Sequence, residues 1–247
     1  FGETTLPLAS YVYAAERLMG LAYRGERFLA ISRSTAEEIR RRIPRPRDIA
    51  VVEPGIDTDF FHPTVAKSPT PLIVCVTRLK RYKNVQFLID SLPRLRNEVE
   101  GVELLVAGSG EYMPDLKRRA RRLGVSPSVH FAGFVSEEEK RDILSRATLF
   151  VNPSVKEGWG ITVIEANMCG TVALAADVAG LRDSVKDGET GVLFSQNNTT
   201  EFVDKAVALL RDTAVRQAME ERAGAFARGF AWDTVAERMA AELSRDI

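Results

Sequence analysis

From Leu72 to Phe194 one pattern repeats along the chain: a short, nearly unbroken apolar run, then a longer stretch of helical period. LIVCVTR is followed by NVQFLIDSLPRL, VELLVAG by YMPDLKRRARRLG, SVHFAG by SEEEKRDILSRA, and TLFVNPS by GITVIEANMCG, after which TVALAA and TGVLF are again strand-like. A strand with one wet face alternates apolar and polar residues, because successive side chains point to opposite sides. These runs do not alternate, so both faces of their sheet have to be covered. Helices between consecutive strands supply that cover. The pattern therefore predicts an α/β fold built on a parallel, doubly wound, Rossmann-like sheet.

Upstream, LASYVYAAERLMGLAYRG reads as a helix and RFLAIS (27–32) as a strand. STAEEIRRRI reads as a helix with Ser34 as cap and Glu37 completing a capping box, and IAVVEPGID as a strand ending in a Pro-Gly turn. PTVAKSPTP (63–71) mixes Pro, Ser and Thr without periodicity and reads as a linker. Three helical stretches from Thr199 to Ile247 close the chain, and no internal repeat is present.

Lys plus Arg equal Asp plus Glu at 34 each in 247 residues, so a broad nucleic-acid-binding face is not expected. The basic run KRRARR (117–122) reads as the wet face of a helix, with an anionic membrane surface or partner as the sharper alternative. Cys75 and Cys169 have no CxxC partner and sit in apolar runs, which predicts buried, reduced thiols. No apolar run approaches the ~18 residues of a membrane span.

In an open α/β sheet, ligands bind beyond the carboxyl ends of the strands. After LIVCVT, Arg78 ends the strand and Lys83 precedes a helix starting near Asn84. Two cations beside a helix N-terminus suit a diphosphate, although loop charges facing solvent would look the same. After VELLVA, Gly108 and Gly110 of GSGEY allow close backbone approach to a ligand, or only a tight turn. After SVHFAG, Phe134 and Val135 offer an apolar surface for a flat base, Ser136 and Glu139 form a capping box, and His130 reads as a packed histidine. After TLFV comes EGWGITVIE (157–165). Gly158 and Gly160 flank Trp159 directly before a helix whose first amides, around Ile161 and Thr162, have no intrahelical acceptor. Glu157 stands before that helix and Glu165 inside it, no more than ~12 Å apart in rise. A carboxylate at each end can accept hydrogen bonds from pairs of hydroxyls. The bland reading is an acidic cap plus one exposed Glu.

Taken in order, TRLKRYKN, VAGSGEY, HFAGFVS, EGWGITVIE with ANMCGT, and VAGLRDSVKDGETGVLF resemble the retaining family-4 glycosyltransferases of the GT-B fold, whose signature is Glu-x7-Glu. FAWDTVAERM is similar to the aromatic-led helix that closes such chains, and ISRSTAEEI with VVEPGIDTDFF to the stretch leading into the nucleotide-sugar domain. The resemblance implies that 1–61 is the end of an acceptor-side domain, 62–230 the nucleotide-sugar-binding domain and 231–247 a closing helix. It also implies that the main body of the first domain precedes Phe1, so that this chain, as a truncated or proteolysed enzyme, transfers poorly alone. Arg78 and Lys83 would hold the donor diphosphate, Glu165 the ribose hydroxyls and Glu157 the sugar. Gly158, Trp159, Gly160, Ile161 and Thr162 would line sugar and diphosphate, while Gly108, Gly110, Phe134 and Val135 would flank the nucleoside. A UDP-, GDP- or ADP-linked sugar is the implied donor, a carbohydrate or lipid-linked molecule the acceptor, and no metal is implied. The expected setting is cytoplasmic, with at most peripheral membrane contact, in polysaccharide biosynthesis. Trp159 stands where the family usually has Phe, and AGLRD where it often has Gly-Gly-Xaa-Pro-Glu. The rival readings are a nucleotide-binding module without transfer activity, a sugar-nucleotide epimerase or phosphorylase of related fold, and a plain structural Rossmann-like domain.

Overall fold

The computed structural model describes Val12, Ala15, Leu18 and residues 20–246. Half of the helix expected at 8–25 lies outside the described residues; of the rest, Val12, Ala15, Leu18 and residues 20–22 are helical, and 23–25 form a turn instead. A small first unit follows, with β1 (Arg27–Ala30), α1 (Arg33–Arg42) and β2 (Asp48–Val51), the two strands pairing in parallel.

The main body is a six-stranded sheet, β3 (Leu72–Val76), β4 (Glu103–Ala107), β5 (Val129–Gly133), β6 (Leu149–Asn152), β7 (Ala173–Ala176) and β8 (Gly191–Phe194). Its helices are α2 (Val85–Glu98), α3 (Met113–Arg122), α4 (Glu137–Arg146), α5 (Ile161–Met168), the single turn α6 (Leu181–Ser184), α7 (Thr199–Arg211), α8 (Thr213–Ala227) and α9 (Trp232–Leu243). All strand pairs are parallel, in the order β5-β4-β3-β6-β7-β8. The central strands are buried on both faces, as their unbroken apolar runs require: Val74, Phe150, Val151 and Leu174 are fully covered. Phe87 of α2, Phe194 of β8 and Phe202 of α7 stack into one aromatic cluster on the flank.

Several local expectations are corrected. Ser32, not Ser34, caps α1, its hydroxyl accepting from the Thr35 amide at 3.0 Å. Ser34 lies within the first turn, and its amide is bound elsewhere. His130 is not packed: β5 is an edge strand, so its outer face reaches solvent, where His130 stands near Glu103. Arg78 does not end β3, which stops at Val76, although the Thr77 and Leu79 amides go on to bond Ala107 and Ser109 carbonyls. The stretch 63–71 is fastened to the domain, with the Lys67 ammonium donating to the Ala147 and Gly170 carbonyls and to Thr171 Oγ1. The turn α6 had no sequence signal.

The basic run of α3 does face solvent, with Leu116 and Ala120 turned inward and Arg119 held by Asp90. Both cysteines are buried and free, and burial pushes their thiols up, Cys75 to about 12 and Cys169 to about 11. Among the described residues no helix is long and apolar enough to cross a membrane.

The last helix returns to the first unit. Arg27 binds Glu242 at 2.6 Å, Arg238 binds Glu53 at 3.0 Å, and the Ile56 amide donates to the Phe230 carbonyl at 2.8 Å. Trp232 packs so closely on Gly55 that a Cβ there would lie 2.5 Å from the indole.

Candidate functional site

From β3 the chain winds to β4 and β5 on one side, and from β6 to β7 and β8 on the other. The winding reverses between β3 and β6, and it is outside the carboxyl ends of strands flanking such a switch point that a crevice opens for ligands. The loops after these two strands carry the cations and the Glu157 segment.

They enclose a pocket of about 380 Å³. The β3 side contributes Val76, Thr77, Arg78 and Lys83, and the β6 side Asn152 and the run from Glu157 to Thr162. Ile31 and Pro54 of the first unit form the facing wall. Lys83 ends a 3-10 turn, Arg81–Lys83, and is 9% exposed. Its ammonium binds Glu157 Oε1, which also accepts from Ser154 Oγ at 3.1 Å. Asn152 Nδ2 lies at the edge of bonding distance, 3.5 Å, from the same oxygen. Arg78 donates to the Tyr82 hydroxyl at 3.3 Å and leans over the pocket's β3 side. Asn84 then takes a left-handed conformation to redirect the chain into α2.

Gly160 turns the chain into α5 with φ 93°, and a Cβ there would meet Leu181 Cδ2 at 2.7 Å. The turn α6 thus packs directly against the start of α5, whose Ile161 and Thr162 line the pocket, while the Val163 amide donates to the Gly160 carbonyl at 2.9 Å. Gly180, in the AGLRD stretch, lies backbone to backbone on Glu157, where a Cβ would be 2.5 Å from the Glu157 carbonyl oxygen. Asp183 in the same turn accepts from the Ser34 amide at 2.9 Å, tying the first unit to this loop.

Arg78, Lys83, Glu157, Gly158, Trp159, Gly160, Ile161 and Thr162 are all brought to this pocket, while Glu165, Gly108, Gly110, Phe134 and Val135 are not among its lining residues. Trp159 is largely turned away: it is 4% exposed and packs edge-on against Phe230, in a cluster with Ile56 and Ile164. Gly108 and Gly110 serve backbone contact within the protein, since Cβ atoms there would sit 1.8 Å from the Thr77 oxygen and 2.3 Å from the Leu79 oxygen. The Gly108 amide also donates to the Gly133 carbonyl at 2.6 Å, so the loops after β3, β4 and β5 form one rim. Beyond it Phe134 is 83% exposed, while Val135 packs partly onto the core.

Glu165 lies one turn into α5, 7% exposed, with Oε1 2.9 Å from the Lys140 ammonium. Burial raises its carboxyl above the ordinary range, and Lys140 opposes that rise. Asn152, Ser154 and Lys140 escaped the sequence reading. Asn152 ends β6 and Ser154 follows two residues on, at the carboxyl end of the strand, which is a usable signal; Lys140 sits in an acidic helix start and has none.

The chain belongs to the family described as glycosyl transferases group 1, whose model matches residues 57–226. It is 31% identical to a D-inositol 3-phosphate glycosyltransferase of Streptomyces bingchenggensis, over 95% of this chain and 55% of that protein. It is 30% identical to a GDP-mannose-dependent alpha-(1-6)-phosphatidylinositol monomannoside mannosyltransferase of Mycobacterium tuberculosis, over 78% of this chain and 55% of that one. The chain thus spans about half the length of the curated relatives it matches. Its fold matches glycosyltransferases of the GT-B fold. Anabaena HepE in complex with UDP and glucose superposes with a TM-score of 0.79 at 22% identity, over 88% of this chain and 62% of HepE. The sucrose-phosphate synthase of Thermosynechococcus elongatus does so at 0.80 and 22%, over 89% and 58%.

Proposed function

We propose that this chain is the donor-binding half of a retaining hexosyltransferase, which takes a hexosyl unit from a UDP-, GDP- or ADP-linked sugar and passes it to a carbohydrate or lipid-linked acceptor. One observation carries the reading: at a single switch point two cations, a helix start and a carboxylate converge on one pocket. A nucleoside diphosphate leaving its sugar develops negative charge on the diphosphate. Arg78 offers a planar donor fork to it, Lys83 a point charge and α5 its first-turn amides, so the charge is met without calling on a metal. Glu157 accepts hydrogen bonds from the sugar hydroxyls. With Oε1 already taken by Lys83 and Ser154, it suits positioning better than nucleophilic attack. Glu165 would bind the ribose hydroxyls, and the rim at Gly108, Gly110, Phe134 and Val135 would flank the base. The acceptor would approach past Ile31 and Pro54. Both UDP and GDP stay in the proposal, because the two appear among the named neighbours and relatives.

The test is a thermal-shift series with UDP, GDP and ADP and their glucose, mannose and N-acetylglucosamine conjugates, on the parent and on Arg78→Ala. A ligand at about 100 times its dissociation constant adds ~2.7 kcal/mol of stability. A shift with one base, lost in Arg78→Ala, supports the reading and names the nucleotide. No shift with any of them would overturn it.

A further inference from the structure

Lys140 is an odd residue for its place. It lies in the first turn of α4, behind Glu137, Glu138 and Glu139, where the helix dipole favours acids and disfavours a cation. Yet its side chain is only 14% exposed. The ammonium stands 2.9 Å from Glu165 Oε1, 2.7 Å from Glu137 Oε2 and 4.9 Å from the centre of the Phe61 ring. Phe61 comes from the segment joining the first unit to the sheet, so three separate stretches of chain converge to enclose one cation. Glu165 on the other side is 9% exposed in its side chain. Apolar residues at both 140 and 165 would fill this space without the desolvation of two charges, so stability alone is a poor reason for the pair.

We propose that Lys140 is a positioning residue for nucleotide binding: it keeps the Glu165 carboxylate ionised and fixed, with one oxygen held and the other free to accept from a ribose hydroxyl. This rests on the assignment of Glu165 to the ribose made above. The charged and titratable groups facing Glu165 are Lys140 and Glu137 from α4, with Cys169 on its own helix. Glu137 repels the carboxylate and Cys169 is a neutral thiol, which leaves Lys140 as the counter-charge. With Lys140 gone, burial and Glu137 both favour the protonated acid, which donates where the ribose needs an acceptor.

The experiment measures the dissociation constants of GDP and UDP from pH 5.5 to 8.5 for the parent, Lys140→Met, Lys140→Gln, Lys140→Arg and Glu165→Ala. Each value is taken as a ratio to the parent at the same pH, which cancels titration of the nucleotide itself. Glu165→Ala is expected to weaken binding on the order of tenfold at every pH. Lys140→Met and Lys140→Gln are expected to match that loss near pH 6 and to recover toward the parent at pH 8.5, while Lys140→Arg stays near the parent throughout. Ligand-free melting shows which variants fold, and the Gln variant stands in if Met does not. If Glu165→Ala weakens binding and the Lys140 variants do not, the inference falls and the ribose assignment stands. An equal loss at all pH values, not rescued by Arg, makes Lys140 merely structural and also overturns the inference. If Glu165→Ala has no effect, or neither nucleotide binds the parent, the functional reading falls and the inference with it.

Discussion

Lys83 and Glu157 stand 74 positions apart in the chain and meet as an ion pair across the switch point, with 11% and 16% of their side chains exposed. Removing one partner leaves a charge in a nearly dry site, whereas removing both leaves none. Lys83→Met and Glu157→Leu are each expected to destabilise the chain by about 3 kcal/mol, and the double variant by clearly less than their sum. Denaturant unfolding of the three measures this. The double variant should remain blind to nucleotide despite its recovered stability, which separates a functional loss from a folding loss. Additive destabilisation would mean that the two charges do not depend on each other.

Gly108 holds the rim together by having no side chain. With φ at 134° and a Cβ that would fall 1.8 Å from the Thr77 carbonyl oxygen, alanine forces the 77–79 loop outward. Gly108→Ala should destabilise by more than about 3 kcal/mol and displace Arg78 from the pocket. Gly188, also left-handed at φ 75°, has nothing within 4 Å of its Cβ position, so Gly188→Ala meets only the conformational cost. That cost is about 1 kcal/mol. Equal melting points for the two variants would refute the steric account.

The central strands could be read from the chain because an unbroken apolar run bounded by turns has few other destinations. Arg78, Lys83 and Glu157 stand out as candidates because they follow strands, with the family resemblance favouring a ligand role over loop charges or a cap. What escaped depended on partners distant in sequence. Lys140 looks like a solvated residue in SEEEKRD until Phe61 and Glu165 fold over it. Trp159 looks like part of a ligand surface until Phe230, seventy-odd positions later, supplies its packing partner. Gly108 and Gly110 announce close approach without saying to what, and here it is to the neighbouring loop. The stretch 63–71 looks unstructured by composition, but the charge on Lys67 finds carbonyl oxygens at the ends of α4 and α5.

That last contact makes a prediction. Lys67 donates at 2.8 Å to Ala147 O, and at 2.6 Å to both Gly170 O and Thr171 Oγ1. Thr171 passes its own proton to the Leu144 carbonyl, so it can only accept from Lys67. Lys67→Met keeps the stem of the side chain and strands the acceptors. A loss of about 2 kcal/mol follows, with early cleavage in 63–71 under limited proteolysis. Unchanged protease resistance would show that the segment is fastened by other contacts.

Glu201 titrates in the direction opposite to the buried Glu165. It accepts from the Lys205 ammonium and from the Ser195 amide, and these bonds, the first above all, hold its carboxyl down to about 2 from an ordinary 4.5. A lowered native value means that ionisation stabilises the fold, fully above pH 4.5 and progressively less as pH falls through about 2. The side chain is partly solvated, so the contribution is at most about 1 kcal/mol. Unfolding of the parent and of Glu201→Gln should therefore differ at neutral pH and converge in strong acid. A gap that stays constant would place the stabilisation in packing instead of charge.

Asp183 decides how firmly the first unit closes on the pocket. Its carboxylate accepts from the Ser34 amide in the first turn of α1, where the helix dipole favours an anion. The same turn, through Gly180, lies on the Glu157 carbonyl, and Ile31 comes within 3.0 Å of where a Cβ on Gly158 would stand. One hydrogen bond thus links the wall bearing Ile31 to the loop bearing Glu157. Asp183→Ala should lower stability by only about 1 kcal/mol but raise hydrogen exchange at Ser34 and its neighbours, with the amides of β6 unaffected. Asp183→Asn keeps an acceptor oxygen and should fall between the two. If exchange at Ser34 is the same in parent and Asp183→Ala, the first unit is held by α9 and the Trp159 cluster alone, and the pocket wall does not depend on this contact.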